Sequence, residues 1–295
     1  MTAQARAKAT PSSGAPYGRS RYRNVPYYAI LILWSAVTIS IFAWLVLSSF
    51  KTNREVFGSP WSLPATPWAA AIANYTKAWQ IAHMNVYFVN SVIVTAASVV
   101  LLVLICAPAA YALSRVEFPG RELVNSYLVA GMGLPVPLIL IPVYVLLANL
   151  RLANSLQGLI TVYVAVSIPF TVLLLTGFFR TLPSELEDAA AIDGCSESQI
   201  FWRIMMPLAG PGLFTAAIFN FVAMWNEFLL ALLIINNDSL RTMPIGVYNI
   251  RYTMQYTADW AGLFAAVVLV IIPSFIVYVL LSERIMAGLT LGSNR

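Results

Sequence analysis

The sequence has almost no charge for its size. Of 295 residues only 10% are Asp, Glu, Lys or Arg, while 60% are hydrophobic. Soluble domains carry about a quarter charged residues. So little charge cannot cover a water-facing surface of this size, which excludes an ordinary soluble enzyme and points to an integral membrane protein. The same scarcity excludes disorder for most of the length. Two cysteines, Cys106 and Cys195, make no disulfide framework, and a single histidine, His83, makes no metal cluster. The three lysines, Lys8, Lys51 and Lys77, lie in no phosphate-cradling glycine loop. Neither a Ser/His/Asp set nor a Cys/His pair can be assembled. The chain therefore reads as a non-enzyme with no cofactor of its own. Uphill movement of a solute would need an ion gradient or a partner. The net charge of +5 is read as setting membrane orientation, not as recruiting nucleic acid.

What is abundant is long apolar runs. Tyr27–Phe50, Val86–Leu113, Leu123–Leu150, Leu152–Phe179, Leu208–Ile235 and Trp260–Ser282 contain one charged residue between them, Glu227. A 24-residue helix is roughly 36 Å long, enough for a ~30 Å hydrocarbon core. Backbone groups in lipid must be satisfied within the segment, and barrel strands would be short and alternating. The expected fold is therefore an all-α integral membrane protein with six transmembrane helices over residues 27–282.

Residues 1–26 carry Arg6, Lys8, Arg19, Arg21 and Arg23 among Pro, Ser, Gly and Ala, and read as a basic disordered tail. The first apolar run is too long for a signal-peptide core, so it is expected to stay in the mature chain. With the N-terminus inside, inner segments hold eleven Lys and Arg against six in the outer loops. That bias places both termini, including the tail 283–295, in the cytoplasm of a multi-pass membrane protein.

The longest inner segment, 180–207, reads R-T-L-P-S-E-L-E-D-A-A-A-I-D-G-C-S-E-S-Q-I-F-W-R-I-M-M-P. Ser184 with Glu187, and Ser196 with Gln199, have capping-box spacing, so the spacing predicts two short helices. Asp193-Gly194 stops the first, with glycine suited to a left-handed turn, and Pro207 closes the second. Ile200, Phe201, Ile204 and Met205 share one face. Such a segment could lie on the bilayer surface. Glu185, Glu187, Asp188, Asp193 and Glu197 weigh against an anionic leaflet and favour a docking element for a cytosolic protein.

These residues resemble the loop of binding-protein-dependent ABC importer permeases, E-A-A-x-x-x-G followed nine residues later by I-x-L-P. Here D-A-A-A-I-D-G spans Asp188 to Gly194, and I-M-M-P spans Ile204 to Pro207 after nine intervening residues. Asp188 replaces the usual Glu and Met206 the usual Leu. Further likeness lies in A-A-Y-A-L-S-R-V-E-F-P-G-R after the second run, W-N-E-F in the fifth and A-G-L-T near the C-terminus. The pattern is similar to the carbohydrate branch, the maltose-type six-helix permeases of type I fold. The resemblance implies a heterodimer with a related permease, two cytosolic ATPase subunits that bind ATP and Mg, and an extracytoplasmic solute-binding protein. It also implies ATPase coupling through Glu187, Asp188, Ala189, Ala190, Asp193, Gly194, Ile204 and Pro207. By the same analogy the tail from Ala287 to Arg295 reaches towards the ATPase subunits.

Inside the fifth run, Trp225, Asn226 and Glu227 form the candidate substrate path. A carboxylate and an amide bond hydroxyls, and an aromatic ring stacks on a sugar face. A buried acid also fits a structural hydrogen bond to a neighbouring helix. Gly131, Gly133, Pro135, Pro137 and Pro142 predict a kinked or unwound third run, and Pro108, Pro169 and Pro273 milder kinks elsewhere. Trp61, Trp68 and Trp79 fit an interfacial aromatic belt in contact with lipid. The last outer loop, 236–259, is polar. In the resembled family it approaches the solute-binding protein, so Arg241, Met243, Tyr248 and Arg251 are candidate contacts. Two rivals stand beside the sugar-importer reading. One is an ion-coupled secondary transporter of a small polar solute, which would want matching broken helices in both halves. The other is a membrane-embedded enzyme, which would want paired acids or metal ligands.

Overall fold

The computed structural model describes residues 25–291, without side-chain detail at Ile81, 253–257 and 282–291. The basic tail expected over residues 1–26 therefore lies almost wholly outside the described residues, as do residues 292–295. Every regular element among the described residues is a helix. The chain divides into two units, residues 1–45 and 46–295. The described part of the first unit is most of α1 (Val25–Ser49), an uninterrupted apolar helix.

The second unit opens with α2 (Asn53–Gly58) and α3 (Pro67–Thr76), which runs into a π turn over Lys77–Ile81. At α2, Thr52 and Glu55 form a complete capping box: the Thr52 N–H donates to Glu55 Oε2 at 2.8 Å and the Glu55 N–H to Thr52 Oγ1 at 3.4 Å. The long α4 (Met84–Arg115) follows His83, whose φ of 56° turns the chain into it. Beyond Gly120 come α5 (Arg121–Met132) and α6 (Val136–Asn149), which meet at 103°. The glycine and proline cluster thus breaks the third apolar run outright. α7 (Leu156–Phe179) starts at Ser155, whose Oγ accepts the Gly158 N–H at 3.0 Å. Three short helices follow, α8 (Glu185–Ile192), α9 (Glu197–Ile200) and α10 (Met206–Leu208), with a π turn at Phe201–Met205 between the last two.

The fifth apolar run is split between α11 (Gly210–Trp225) and α12 (Leu229–Ile234). Nothing in its sequence announced that split. α13 (Met243–Thr257) occupies part of the polar outer loop expected over 236–259. Pro244 is tolerated in its first turn, and buried Met243 and Ile245 fix it inwards. α14 (Trp260–Leu291) completes the chain and passes beyond Ser282. α4, α7 and α14 continue through Pro108, Pro169 and Pro273. Four helices are long and apolar enough to cross a membrane, and two bent pairs, α5 with α6 and residues 197–208 with α11, bring the possible spans to six.

α4 and α7 form the most extensive pair and the centre of the second unit. Leu102, Cys106, Ala107 and Ala110 of α4 are fully buried with Leu159, Leu175 and Phe179 of α7. A second cluster joins Met84, Tyr87, Trp225, Met243, Ala265 and Ala266. α5 and α6 turn Leu123, Tyr127, Leu138 and Ile141 outward, as lipid-facing or partner-facing helices do.

Candidate functional site

The 180–207 segment forms two short helices around a tight turn. α8 ends at Ile192, and Gly194 has a φ of +82°, the left-handed turn that its sequence predicted. The N–H groups of Gly194 and Cys195 close the turn on the carbonyls of Ala191 and Ala190, both at 3.0 Å. At α9 the expected capping box is present: the Ser196 N–H donates to Gln199 Oε1 at 2.8 Å. The box expected at α8 is absent. Ser184 already has helical backbone angles and caps nothing with its side chain. Glu187 turns instead towards Arg115, the last residue of α4, with Nε 3.5 Å from Oε2. Pro207 does not close the second helix either. It sits in the first turn of α10, where a missing N–H costs no bond, and the chain bends by 70° only at Ala209.

The two faces of this segment differ sharply. Ala190, Ile200, Phe201 and Met205 are buried in the central cluster, and Ile204 is partly buried against it. The Phe201 ring lies 5.0 Å from Tyr111 of α4 and 6.5 Å from Phe179 of α7. The apolar face shared by Ile200, Phe201, Ile204 and Met205 therefore anchors the segment to its own helices. Glu185, Asp188, Ala189, Asp193, Gly194 and Pro207 are exposed. Between them Ile192 is 86% exposed, and Leu186 and Trp202 are also open. A protruding apolar residue among carboxylates is a surface that a partner groove with basic edges would fit.

Trp225, Asn226 and Glu227 fall at the gap between α11 and α12 and point to three different places. Trp225 is 2% exposed, donates from Nε1 to the Val270 carbonyl at 3.0 Å, and stacks on Phe221 at 5.8 Å. The exposed Asn226 donates from Nδ2 to Val222 O and to Ser274 Oγ of α14, at 2.8 and 3.1 Å. Glu227 caps α12: its carboxylate accepts the Leu230 and Ala231 N–H groups at 2.7 and 3.1 Å. The Tyr163 hydroxyl of α7 donates to the same group at 2.8 Å. Sequence reasoning did not identify Tyr163, because a tyrosine in an apolar run carries no distinguishing spacing.

The four residues of the last loop also separate. Met243 is fully buried, and its N–H donates to Ser91 Oγ at 2.8 Å, so it offers no surface. Arg241 pairs with Asp238 at 2.6 Å. Tyr248 is exposed, with its ring 5.4 Å from Phe228. The Arg251 guanidinium lies 5.8 Å from the Trp260 ring, in cation–π range. Arg241 also lines an open cleft of about 810 Å³, shared with Lys77, His83, Tyr87, Asp238 and Asp259. Asn53 and Lys77 bind Asp259 at 3.1 and 3.3 Å, tying α2 and the π turn after α3 to the start of α14. Burial alone would raise the Asp259 carboxyl. The Gly262 N–H, the Asn53 amide and the Lys77 ammonium together hold it below the usual value. Among the described residues no group of His, Cys, Asp and Glu could hold a metal ion.

Comparison with known proteins gives a consistent picture. Residues 100–286 match the model of a family described as binding-protein-dependent transport system inner membrane component. The chain is 39% identical over 268 residues to the diacetylchitobiose uptake system permease protein NgcG of Streptomyces coelicolor, covering 91% of this chain and 88% of that one. It is 37% identical over 249 residues to the sulfoquinovosyl glycerol transport system permease protein SmoH of Agrobacterium fabrum, covering 84% and 86%. A solved chain from a bacterial ABC transporter that imports the acidic polysaccharide alginate superposes with a TM-score of 0.70. That likeness covers 86% of this chain and 96% of the other at 22% identity, and it speaks for the fold.

Proposed function

Because the chain belongs to the binding-protein-dependent transport system inner membrane components, a multi-pass family of importer permeases, we propose that it forms half of the translocation pathway of an ATP-driven carbohydrate importer. Relatives named for diacetylchitobiose uptake and for sulfoquinovosyl glycerol transport support a glycoside as solute. The other half is a related permease. Two cytosolic subunits bind and hydrolyse ATP with Mg, and a solute-binding protein delivers the sugar to the opposite face. Both termini and the 180–207 segment face the cytoplasm.

The observation that carries this reading is the exposed edge of that segment. Asp188, Ile192 and Asp193 stand out around a left-handed turn while the other face is locked into the core. An element that merely rested on lipid would turn its apolar face outward. Here the chain buries it and presents acids with one protruding isoleucine. In the pathway, exposed Asn226 is the polar group at the α11–α12 gap that meets hydroxyls. Glu227 acts there by keeping the gap open as the cap of α12. On the opposite face Tyr248 and Arg251 meet the solute-binding protein, with Arg241 held at the rim of the cleft.

Gly194→Val tests the reading. A β-branched residue in the left-handed region costs roughly 1–2 kcal/mol and re-aims α8. The variant is expected to stay in the membrane but to release the ATPase or uncouple hydrolysis from transport. The measurement is ATPase co-purification together with binding-protein-stimulated hydrolysis in reconstituted vesicles. Wild-type values would sink the docking role. Titrating the solute-binding protein with a panel of oligosaccharides tests the solute class.

A further inference from the structure

Arg115 stands where three elements meet. From the last turn of α4, its Nη2 donates to the carbonyls of Phe179, at 2.9 Å, and Leu182, at the end of α7 and just beyond it. Its Nε lies 3.5 Å from Glu187 Oε2 of α8, and the two side chains are only 16% and 17% exposed. Neither that Nε nor Glu187 Oε1 has a hydrogen-bond partner among the described residues. Tyr111, one turn earlier on α4, faces the same carboxylate. Its ring packs between Phe179 and Phe201, at 5.6 and 5.0 Å.

A largely buried ion pair with unfilled hydrogen-bonding positions is a poor way to gain stability, since desolvation offsets most of the attraction. What it supplies is registry: its attraction is strong in one relative placement of two elements and falls steeply when either shifts. Bonds to the Phe179 and Leu182 carbonyls fix the guanidinium from one side, so the pair opens or closes as α8 moves against the ends of α4 and α7. Closing it from 3.5 Å to the about 2.8 Å of a charge-assisted hydrogen bond needs only a small displacement. Glu187 points inward on this account, while Asp188 and Asp193 on the same short segment stay exposed for a partner.

We propose that Arg115 is a positioning residue that locks α8 to the ends of α4 and α7 through Glu187, so that the docking segment and the two central helices shift together during transport. The inference rests on the docking reading of residues 180–207 and names the internal link through which docking is transmitted. It concerns a residue outside the segment itself.

The test uses the assembled transporter in vesicles. MgATP is the probe, and hydrolysis is measured with and without the transporter's solute-binding protein, used as purified. Arg115→Gln is expected to retain the ATPase subunits and to leave unstimulated hydrolysis within about twofold of wild type, while stimulated hydrolysis falls about fivefold or more. Glu187→Gln should show the same loss of stimulation, and the double variant should be no worse than either single one. If Arg115→Gln fails to assemble, Glu187→Gln alone decides. Wild-type stimulation in Glu187→Gln overturns the proposal, as do losses that multiply in the double variant. A parallel fall in ATPase retention and in both activities would also overturn it, since the pair would then only keep the loop folded. A wild-type protein that retains no ATPase would instead refute the docking reading on which the proposal rests.

Discussion

The third and fifth apolar runs are both broken, and each meets the same difficulty in its own way. A helix that starts inside an apolar region exposes N–H groups with no partner, and lipid offers none. At the start of α6 the chain removes donors. Pro135 and Pro137 have no N–H, Leu138 bonds back to the Pro135 carbonyl at 3.0 Å, and Gly133 and Leu134 close a turn on Ala130 and Gly131. At the start of α12 the chain adds an acceptor. The Glu227 carboxylate takes the N–H groups of Leu230 and Ala231, and Leu232 bonds to Phe228. The first solution is written in backbone chemistry and needs nothing from neighbouring helices. The second depends on one side chain and on Tyr163 from α7, so it ties the break to the rest of the bundle.

This contrast makes the two breaks unequally fragile. Glu227→Ala should have the largest effect, leaving two N–H groups and the Tyr163 hydroxyl without an acceptor at a cost of about 2–4 kcal/mol. Thermal unfolding in detergent measures it, and an unchanged midpoint would make the two breaks equivalent. Glu227→Gln retains one acceptor oxygen and should lose about 1–2 kcal/mol in the same assay. A loss as large as that of alanine would mean that charge, not hydrogen bonding, sustains the cap. Tyr163→Phe removes one of the three donors and should cost about 1 kcal/mol. Combined with Glu227→Ala it should add nothing, which a double-mutant cycle reads directly. Pro135→Ala should change stability least, by about 0.5–1 kcal/mol at most, because the turn at Gly133 is closed by its own backbone. A larger loss there would show that the α5–α6 break also depends on a particular side chain.

Legibility in the sequence follows the same division. The α5–α6 break was visible because glycine and proline act through the backbone of their own segment. The Gly194 turn and the Ser196–Gln199 box were visible for that reason too. The α11–α12 break was not, since W-N-E-F contains no breaker and Glu227 finds its partners three and four residues on and 64 residues back, at Tyr163. Ser184 and Glu187 had the right spacing for a box, but Arg115 outcompeted the local partner, and nothing near Arg115 in sequence marks that choice. Met243 was read as a contact because it lies in the outer loop that approaches the solute-binding protein in the resembled family, whereas a helix starting there turns it into the core. Local chemistry was readable from residue types. Pairings between distant segments were not, and most of the candidate site is built from those.

The short lengths at the breaks bear on how the chain enters the bilayer. α5 and α6 have 12 and 14 residues and α11 has 16, or about 18, 21 and 24 Å, each short of a ~30 Å core. None of them can be released into lipid as an independent segment by the machinery that inserts nascent helices. α4 and α7 can, at 32 and 24 residues. The long α4 and α7 thereby serve as the wall against which the broken segments are laid. The hydrogen bonds at the α12 cap are complete once Tyr163 is in place.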